Sequence, residues 1–222
     1  MELILSSGFL AFARHCGVID AVQKTGIQID GLCGTSSGAL VGAMWLAGHH
    51  PDFIQETLLE LPPYRMLSLS STPWKGLLSM QKLQAKLDTL LPQSFAELGR
   101  PFGVGVCHKT DGHCLLREGD LPAAVAASCA MPYVFSPVKV GEAYFFDGGT
   151  LDRLGAEAWR AKRTGNVIIH AVNRTAGASK ERGVEGALLI RTPRSGASFF
   201  SLGPFTEQRK EACKIALEAL NG

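Results

Sequence analysis

Between the apolar run Ile29–Cys33 and the small-residue stretch Ser37–Ala47 the chain reads Gly34-Thr35-Ser36-Ser37-Gly38. A strand that passes into a helix through so short a turn brings backbone against backbone. Glycine is then needed at the flanking positions, because any side chain there would clash. The helix that follows points its first N–H groups at the serine oxygen and favours negative charge developing there. In a chain with 25 glycines the bare Gly-x-Ser-x-Gly spacing carries little weight. The strand before it and the helix after it supply the weight, and they single out Ser36 as a candidate nucleophile.

The surrounding pattern agrees with an α/β organisation. Glu2–Ser6 reads as a buried strand, Leu10–Lys24 as a helix stopped by Gly26, Ile29–Cys33 as a second strand and Ser37–Ala47 as a second helix. This β-α-β-α opening predicts a mostly parallel, layered sheet. Residues 51–98 change character: helical patterns at Asp52–Glu60 and Gly76–Leu91 flank the Pro- and Ser-rich Leu61–Pro73, which reads as a helical insertion or cap. Phe102–Lys109 and His113–Arg117 form a hairpin through Asp111-Gly112, a favoured tight-turn pair. An Ala-rich helix is expected over Leu121–Cys129, strands over Ser136–Val140, Ala143–Phe146 and Val167–Val172, a polar loop over Thr175–Gly186, and an amphipathic helix over Phe205–Leu220.

Composition narrows the function classes. The 222 residues suit one domain, and with 46% hydrophobic and 19% charged residues the chain can bury a core without disulfides. The 22 basic and 20 acidic residues leave a charge of +2 without long like-charge runs, which weighs against a nucleic-acid binder. No apolar stretch approaches the ~18 residues of a membrane span. The N-terminal segment has no basic start and carries Glu2, so it reads as a strand rather than a signal peptide, and a cytoplasmic location is expected. The six cysteines show no Cys-x-x-Cys spacing. They read as small buried residues of a reduced chain, with no metal set among them and no oxygen-rich calcium loop.

A serine nucleophile needs a base and donors for the oxyanion. Ser36, Asp147 and His170 occur in the order of a Ser-Asp-His triad. His170, however, lies inside Ile168-Ile169-His170-Ala171-Val172, where a histidine is more often a hydrogen-bonded core residue. The other five histidines have no obvious partner. The second route is a carboxylate acting directly on the serine. Tyr144-Phe145-Phe146-Asp147-Gly148-Gly149 suits it, since an apolar strand delivers Asp147 and two glycines turn the chain at once. Apolar surroundings raise a carboxylate pKa and make it a better base.

With these residues in view the chain resembles the patatin-like lipid acyl hydrolases. Ser6-Ser7-Gly8-Phe9 with His15-Cys16-Gly17-Val18-Ile19 resembles the family's Gly-rich loop and its helix, and Gly34–Leu40 its elbow. Ala127-Ser128-Cys129-Ala130-Met131-Pro132 through Val138 is similar to the family's Ala-Ser-x-Ala-x-Pro segment, and Asp147-Gly148-Gly149 stands where the family carries its aspartate. The resemblance implies a three-layer α/β/α sandwich as a single domain over residues 1–222, with the cap around 51–98. It implies Ser36 as nucleophile, Asp147 as general base, and the backbone N–H groups of Gly8 and Phe9 as oxyanion donors. No histidine and no cofactor enter the chemistry. The partner would be a lipid or other acyl ester, met in transient contact with a membrane surface.

Two departures stand out. Where the family loop reads Gly-Gly-Gly-x-Arg/Lys-Gly, this chain has Ser7-Gly8-Phe9-Leu10-Ala11-Phe12. Backbone donors survive such changes, while the missing basic residue points away from phosphate and Phe9 and Phe12 could widen an acyl pocket. Asp152-Arg153-Leu154-Gly155 replaces the family's Asn-x-Pro after the aspartate. Three alternatives stay open: a triad through His170, an acyltransferase or thioesterase on the same serine, and a catalytically silent lipid binder. The apolar residues of Pro62–Met80 (Tyr64, Met66, Leu67, Leu69, Trp74, Leu77 and Leu78) read as a lid or, preferred, as the cap's own core. Arg191, Arg194 and the loop Arg174–Arg182 read as solvated surface charge rather than a head-group site.

Overall fold

The structure, a computed structural model, describes residues 1–60, 64, 68–70, 76–173 and 181–222. Its strands are β1 (Glu2–Leu5), β2 (Gly31–Thr35), β3 (Ser68–Leu69), β4 (Leu78–Ser79), β5 (Phe102–His108), β6 (Gly112–Leu116), β7 (Val138–Val140), β8 (Ala143–Asp147), β9 (Val167–Val172) and β10 (Leu188–Thr192). Its helices are α1 (Phe12–Thr25), α2 (Ser37–Leu46), α3 (Pro51–Glu60), α4 (Gln81–Leu90), α5 (Leu121–Ser128), α6 (Ala156–Arg160) and α7 (Phe205–Asn221).

The main sheet has eight strands in the order β10-β9-β1-β2-β5-β8-β7, with β6 also paired to β5. The run from β10 to β5 is parallel, and β6, β7 and β8 are antiparallel additions. Side chains of a strand alternate between faces, and β1 shows the consequence. Leu3 and Leu5 enter the large core under the helices, together with Leu32 of β2. Ile4 enters a smaller core on the opposite face with Cys33, Ile169 and Trp159. The fold is thus an α/β/α sandwich with unequal layers: α1, α2, α5 and α7 pack on one side, and the short α6 carries Trp159 on the other. Helices α3 and α4 of the 51–98 region lie against α1, α2 and α5.

Local chemistry explains most boundaries. Gly26 closes α1 in the left-handed region at φ 69°, its N–H donating to Gln23. Asp120 caps α5 through a 2.8 Å bond from the amide of Ala123. Gly112 takes φ 77° in the β5–β6 turn. Two expectations need correction. The helix expected over Gly76–Leu91 begins only at Gln81, because Leu78 pairs with the 134–136 segment, donating to Val134 and accepting from Ser136. At Gly76 an added Cβ would lie 2.3 Å from the backbone of Phe135. The second strand is Gly31–Thr35 rather than Ile29–Cys33, since its ladder with β5 continues to Thr35 opposite Gly105. It therefore runs directly into Ser36. Among the described residues no helix is long and apolar enough to cross a membrane.

Candidate active site

Ser36 sits between the end of β2 and the start of α2 with φ 54° and ψ −119°. Positive φ is uncommon for a residue with a side chain and costs of order 1–3 kcal/mol, so the surroundings must hold it. They do. An added Cβ at Gly34 would lie 2.6 Å from the carbonyl oxygen of Gly38, and one at Gly38 would lie 2.3 Å from that of Leu5. The amide of Ser36 donates to Ser128 Oγ at 2.7 Å, and Ser128 Oγ donates to the Gly105 carbonyl at 2.7 Å. Ser36 itself is half-buried, at the N-terminus of the wholly buried α2.

Strand register brings Asp147 to the same place. Along one edge of β5, Gly105 pairs with Thr35 and the next residue, Val106, pairs with Asp147. Strand β2 thus ends where β8 ends, and Ser36 and Asp147 follow from two strands that meet on that edge. Gly148 lets the turn press on β5, since a Cβ there would lie 2.5 Å from the carbonyl carbon of Gly105. Asp147 is 8% exposed, and its Oδ1 accepts from the amide of Gly149 at 2.8 Å. Its own amide donates to Ala130. The segment 128–130 therefore holds both candidates, Ser36 through Ser128 and Asp147 through Ala130. Between these two contacts lies Cys129, whose thiol is close enough to Ser36 and Asp147 for both to affect its ionisation. Burial first, and then Asp147, push that thiol well above its ordinary range, with Ser36 acting against them, so it stays a neutral thiol.

The loop 6–11 is anchored on both sides. Ser6 Oγ accepts from Val172 N at 3.0 Å, and the Ser7 amide donates to the Arg153 carbonyl at 2.8 Å. Ser7 also touches the aspartate turn: a Cβ at Gly149 would lie 2.5 Å from Ser7 Oγ. Among the described residues the amides of Gly8 and Phe9 donate to no protein acceptor. Leu10 takes φ 48° as the chain turns into α1.

His170 does not join this cluster. Its Nδ1 lies 2.9 Å from His15 Nδ1 and its Nε2 2.8 Å from Thr192 Oγ1. His15 Nε2 in turn reaches Ser37 Oγ at 3.1 Å. Both rings are wholly buried. Burial drives the His15 pKa down to about 3, opposed by a bond to the Ser6 backbone and helped by Arg153. Burial and the neighbouring His15 and Arg14 hold His170 well below its usual value. The pair is neutral and bonded within the core.

Exposed apolar side chains lie around the Phe9 loop and along the segment after Cys129. Phe9, 45% exposed, packs edge-to-face on Phe199 at 5.1 Å, and Tyr64 lies 6.5 Å from Phe200, which is 79% exposed. On the segment after Cys129, Tyr133 takes φ 68° and is almost fully exposed, as are Leu69 and Leu77 in large part. Leu78 packs against the core, while Met66, Leu67 and Trp74 lie outside the described residues. Arg191 is engaged by Glu181 through both guanidinium nitrogens, and Arg174 to Lys180 lie outside the described residues. Among the described residues no group of three or more His, Cys, Asp or Glu is placed to hold a metal.

The glycine neighbours singled out Ser36 and Asp147 as candidates. In the sequence Ser128 and Cys129 stand out only as part of the family segment and Arg153 only as a departure from it, and no contact at the site is assigned there to them or to the His15–Ser37 pair.

The family model described as patatin-like phospholipase matches residues 3–158. An uncharacterized NTE family protein of Mycobacterium tuberculosis is 33% identical over 158 residues, covering 69% of this chain and 44% of that protein. This chain thus spans less than half the length of these Mycobacterium relatives. The neuropathy target esterase sws of Drosophila persimilis is 28% identical over 132 residues, covering 57% of this chain and 8% of that protein. Among solved structures, VipD from Legionella pneumophila superposes with TM-score 0.58 at 13% identity, over 99% of this chain and 66% of that one. ExoU in its heterodimeric complex with SpcU, from Pseudomonas aeruginosa, gives 0.55 at 13% identity, over 100% and 51%. At such identities the structural likeness concerns the fold.

Proposed function

This chain belongs to the patatin-like phospholipase family, and from that premise we propose that it is a serine-dependent acyl-ester hydrolase acting on lipids through Ser36 and Asp147. The observation that carries the reading is the pairing of Thr35 and Asp147 with consecutive residues of β5. That register supports a serine of positive φ at a helix N-terminus working with the buried carboxylate of the neighbouring strand.

In this reading the Asp147 carboxylate takes the Ser36 hydroxyl proton as Oγ bonds to the ester carbonyl carbon. The carbonyl π pair moves to oxygen, and the amides of Gly8 and Phe9 receive that oxyanion. Collapse breaks the ester C–O bond, and the departing alkoxide takes the proton from Asp147. Water then attacks the acyl-enzyme, giving its proton to Asp147. The second tetrahedral intermediate expels Ser36 Oγ, which recovers the proton as the fatty acid leaves. Each half-reaction returns Asp147 to its starting charge, and no imidazole takes part. A transferase or thioesterase would share the acyl-enzyme and differ only in leaving group or acceptor.

The exposed Phe9, Phe200, Tyr64, Tyr133, Leu69 and Leu77 support a lipid aggregate as the substrate's source, because aromatic and leucine side chains beside a site can enter a lipid interface. The test is turnover of p-nitrophenyl butyrate, monoacylglycerol and lysophosphatidylcholine by wild type, Ser36→Ala, Asp147→Asn and His170→Ala, each checked for folding. The reading expects loss at Ser36 and Asp147 and substantial activity in folded His170→Ala. Turnover abolished in folded His170→Ala as well would replace it with a Ser36-Asp147-His170 triad.

A further inference from the structure

We propose that Arg153 is a positioning residue for the oxyanion and acts through the Ser7–Gly8 peptide, an inference that rests on Gly8 serving as an oxyanion donor. Arg153 lies in the turn that follows Asp147 and is 7% exposed. Its Nη2 donates to the Ser7 carbonyl at 2.9 Å and also to the carbonyl of Val172. The Ser7 amide donates back to the Arg153 carbonyl at 2.8 Å. One residue thereby grips both backbone groups of Ser7. Its Nη1 lies 3.9 Å from Glu181, a carboxylate that Arg191 binds more closely.

The Ser7 carbonyl and the Gly8 N–H are the two ends of one planar peptide, and in a trans peptide they point in opposite directions. Among the described residues no peptide bond is cis. Fixing the carbonyl on the guanidinium therefore fixes the direction of the N–H, away from Arg153. Among the described residues no protein group accepts that N–H. A charge-assisted bond at the carbonyl also draws electron density from the amide nitrogen and makes its N–H a stronger donor. The loop from Ser6 to Ala13 carries no cation of its own. Arg153 supplies one from the other side of the peptide, in the same turn region that delivers Asp147. Donor and base are thus held together: Ser7 is bound by Arg153 and packed on Gly149.

A positioning role of this kind appears in kcat rather than KM, because the oxyanion exists only in the transition state. The experiment compares wild type, Arg153→Met and Arg153→Lys with p-nitrophenyl butyrate, alongside thermal melts and a Ser36→Ala control. Methionine keeps bulk without donors, and lysine keeps charge without the fork. The expected order of kcat is wild type, then Lys, then Met, with Arg153→Met about tenfold to a hundredfold down and KM within about twofold. Wild-type kcat in folded Arg153→Met, or a loss confined to KM, overturns the proposal. If Arg153→Met does not fold, Arg153→Lys decides: a kcat about threefold or more down at unchanged KM supports the role, and unchanged kcat overturns it. Absence of Ser36-dependent turnover in the wild type would instead remove the hydrolase reading on which the proposal rests.

Discussion

The amide of Ser36 donates to Ser128 Oγ at 2.7 Å, and that hydroxyl donates in turn to the Gly105 carbonyl at 2.7 Å. Ser128 is wholly buried. One side chain therefore ties the strained elbow to the strand on which β2 and β8 meet.

Ser128→Ala leaves a buried amide and a buried carbonyl without this partner, which costs about 1–3 kcal/mol. For a chain of this length each kcal/mol lowers Tm by roughly 2–4 °C. Because the lost bond holds the nucleophile's own backbone, kcat should fall at least about tenfold as well. Melting curves and ester turnover check both effects, and wild-type kcat would show that the elbow needs no such brace.

Two glycine substitutions separate packing at the site from strain elsewhere. Gly148→Ala drives a methyl into the Gly105 backbone, at about 1–3 kcal/mol. Gly26→Ala meets nothing within 4 Å and suffers only its left-handed φ of 69°, at about 1–2 kcal/mol. The stability losses overlap, yet only Gly148→Ala shifts the turn that carries Asp147 and should lower kcat. Equal activity in the two variants would deny that the turn's close approach matters to the site.

The buried histidine pair makes stability depend on pH. His15 and His170 stay neutral in the folded chain, with the His15 pKa near 3, while both take up protons below about 6.5 when unfolded. Their contribution is fully present above about pH 6.5 and is lost as pH falls from there towards 3. His15 contributes a slope of up to about 1.4 kcal/mol per pH unit in that window, and His170 adds to it in the same direction. Urea unfolding at pH 7, 6 and 5 should show a falling midpoint, with a shallower fall in His170→Phe where that variant folds. A midpoint independent of pH would mean the rings are not held neutral.

What the chain reveals by itself follows from the range of each interaction. Gly34, Gly38, Gly148 and Gly149 are demanded by backbone approaches at the turn where they stand, so they mark Ser36 and Asp147 within a few residues. Ser128 and Arg153 act on backbone atoms 92 and 146 positions away, and nothing local announces such partners. Strand β10 escaped the sequence reading because it lies at the sheet edge with a half-exposed pattern around Arg191. The two-residue strand β4 forms against Phe135 and against β3, tertiary contacts that override the helical pattern read there. The sheet itself was legible, since β1 and β9 are apolar on both faces as buried parallel strands require.

The apolar rim should divide soluble from aggregated substrates. Phe200→Ser and Leu77→Ser remove exposed side chains and little packing. Binding to phosphatidylcholine vesicles should weaken several-fold in the pair, while turnover of a monomeric short-chain ester stays within about twofold. Unchanged vesicle binding would assign the rim to another partner.

The most direct measurement of the central claim is the intact mass of the protein after reaction with a fluorophosphonate, for wild type and Ser36→Ala. The account predicts one covalent adduct on the wild type, mapped to the peptide that holds Ser36, and none on Ser36→Ala. A folded wild type that takes no adduct, or an adduct that persists in Ser36→Ala, would contradict it.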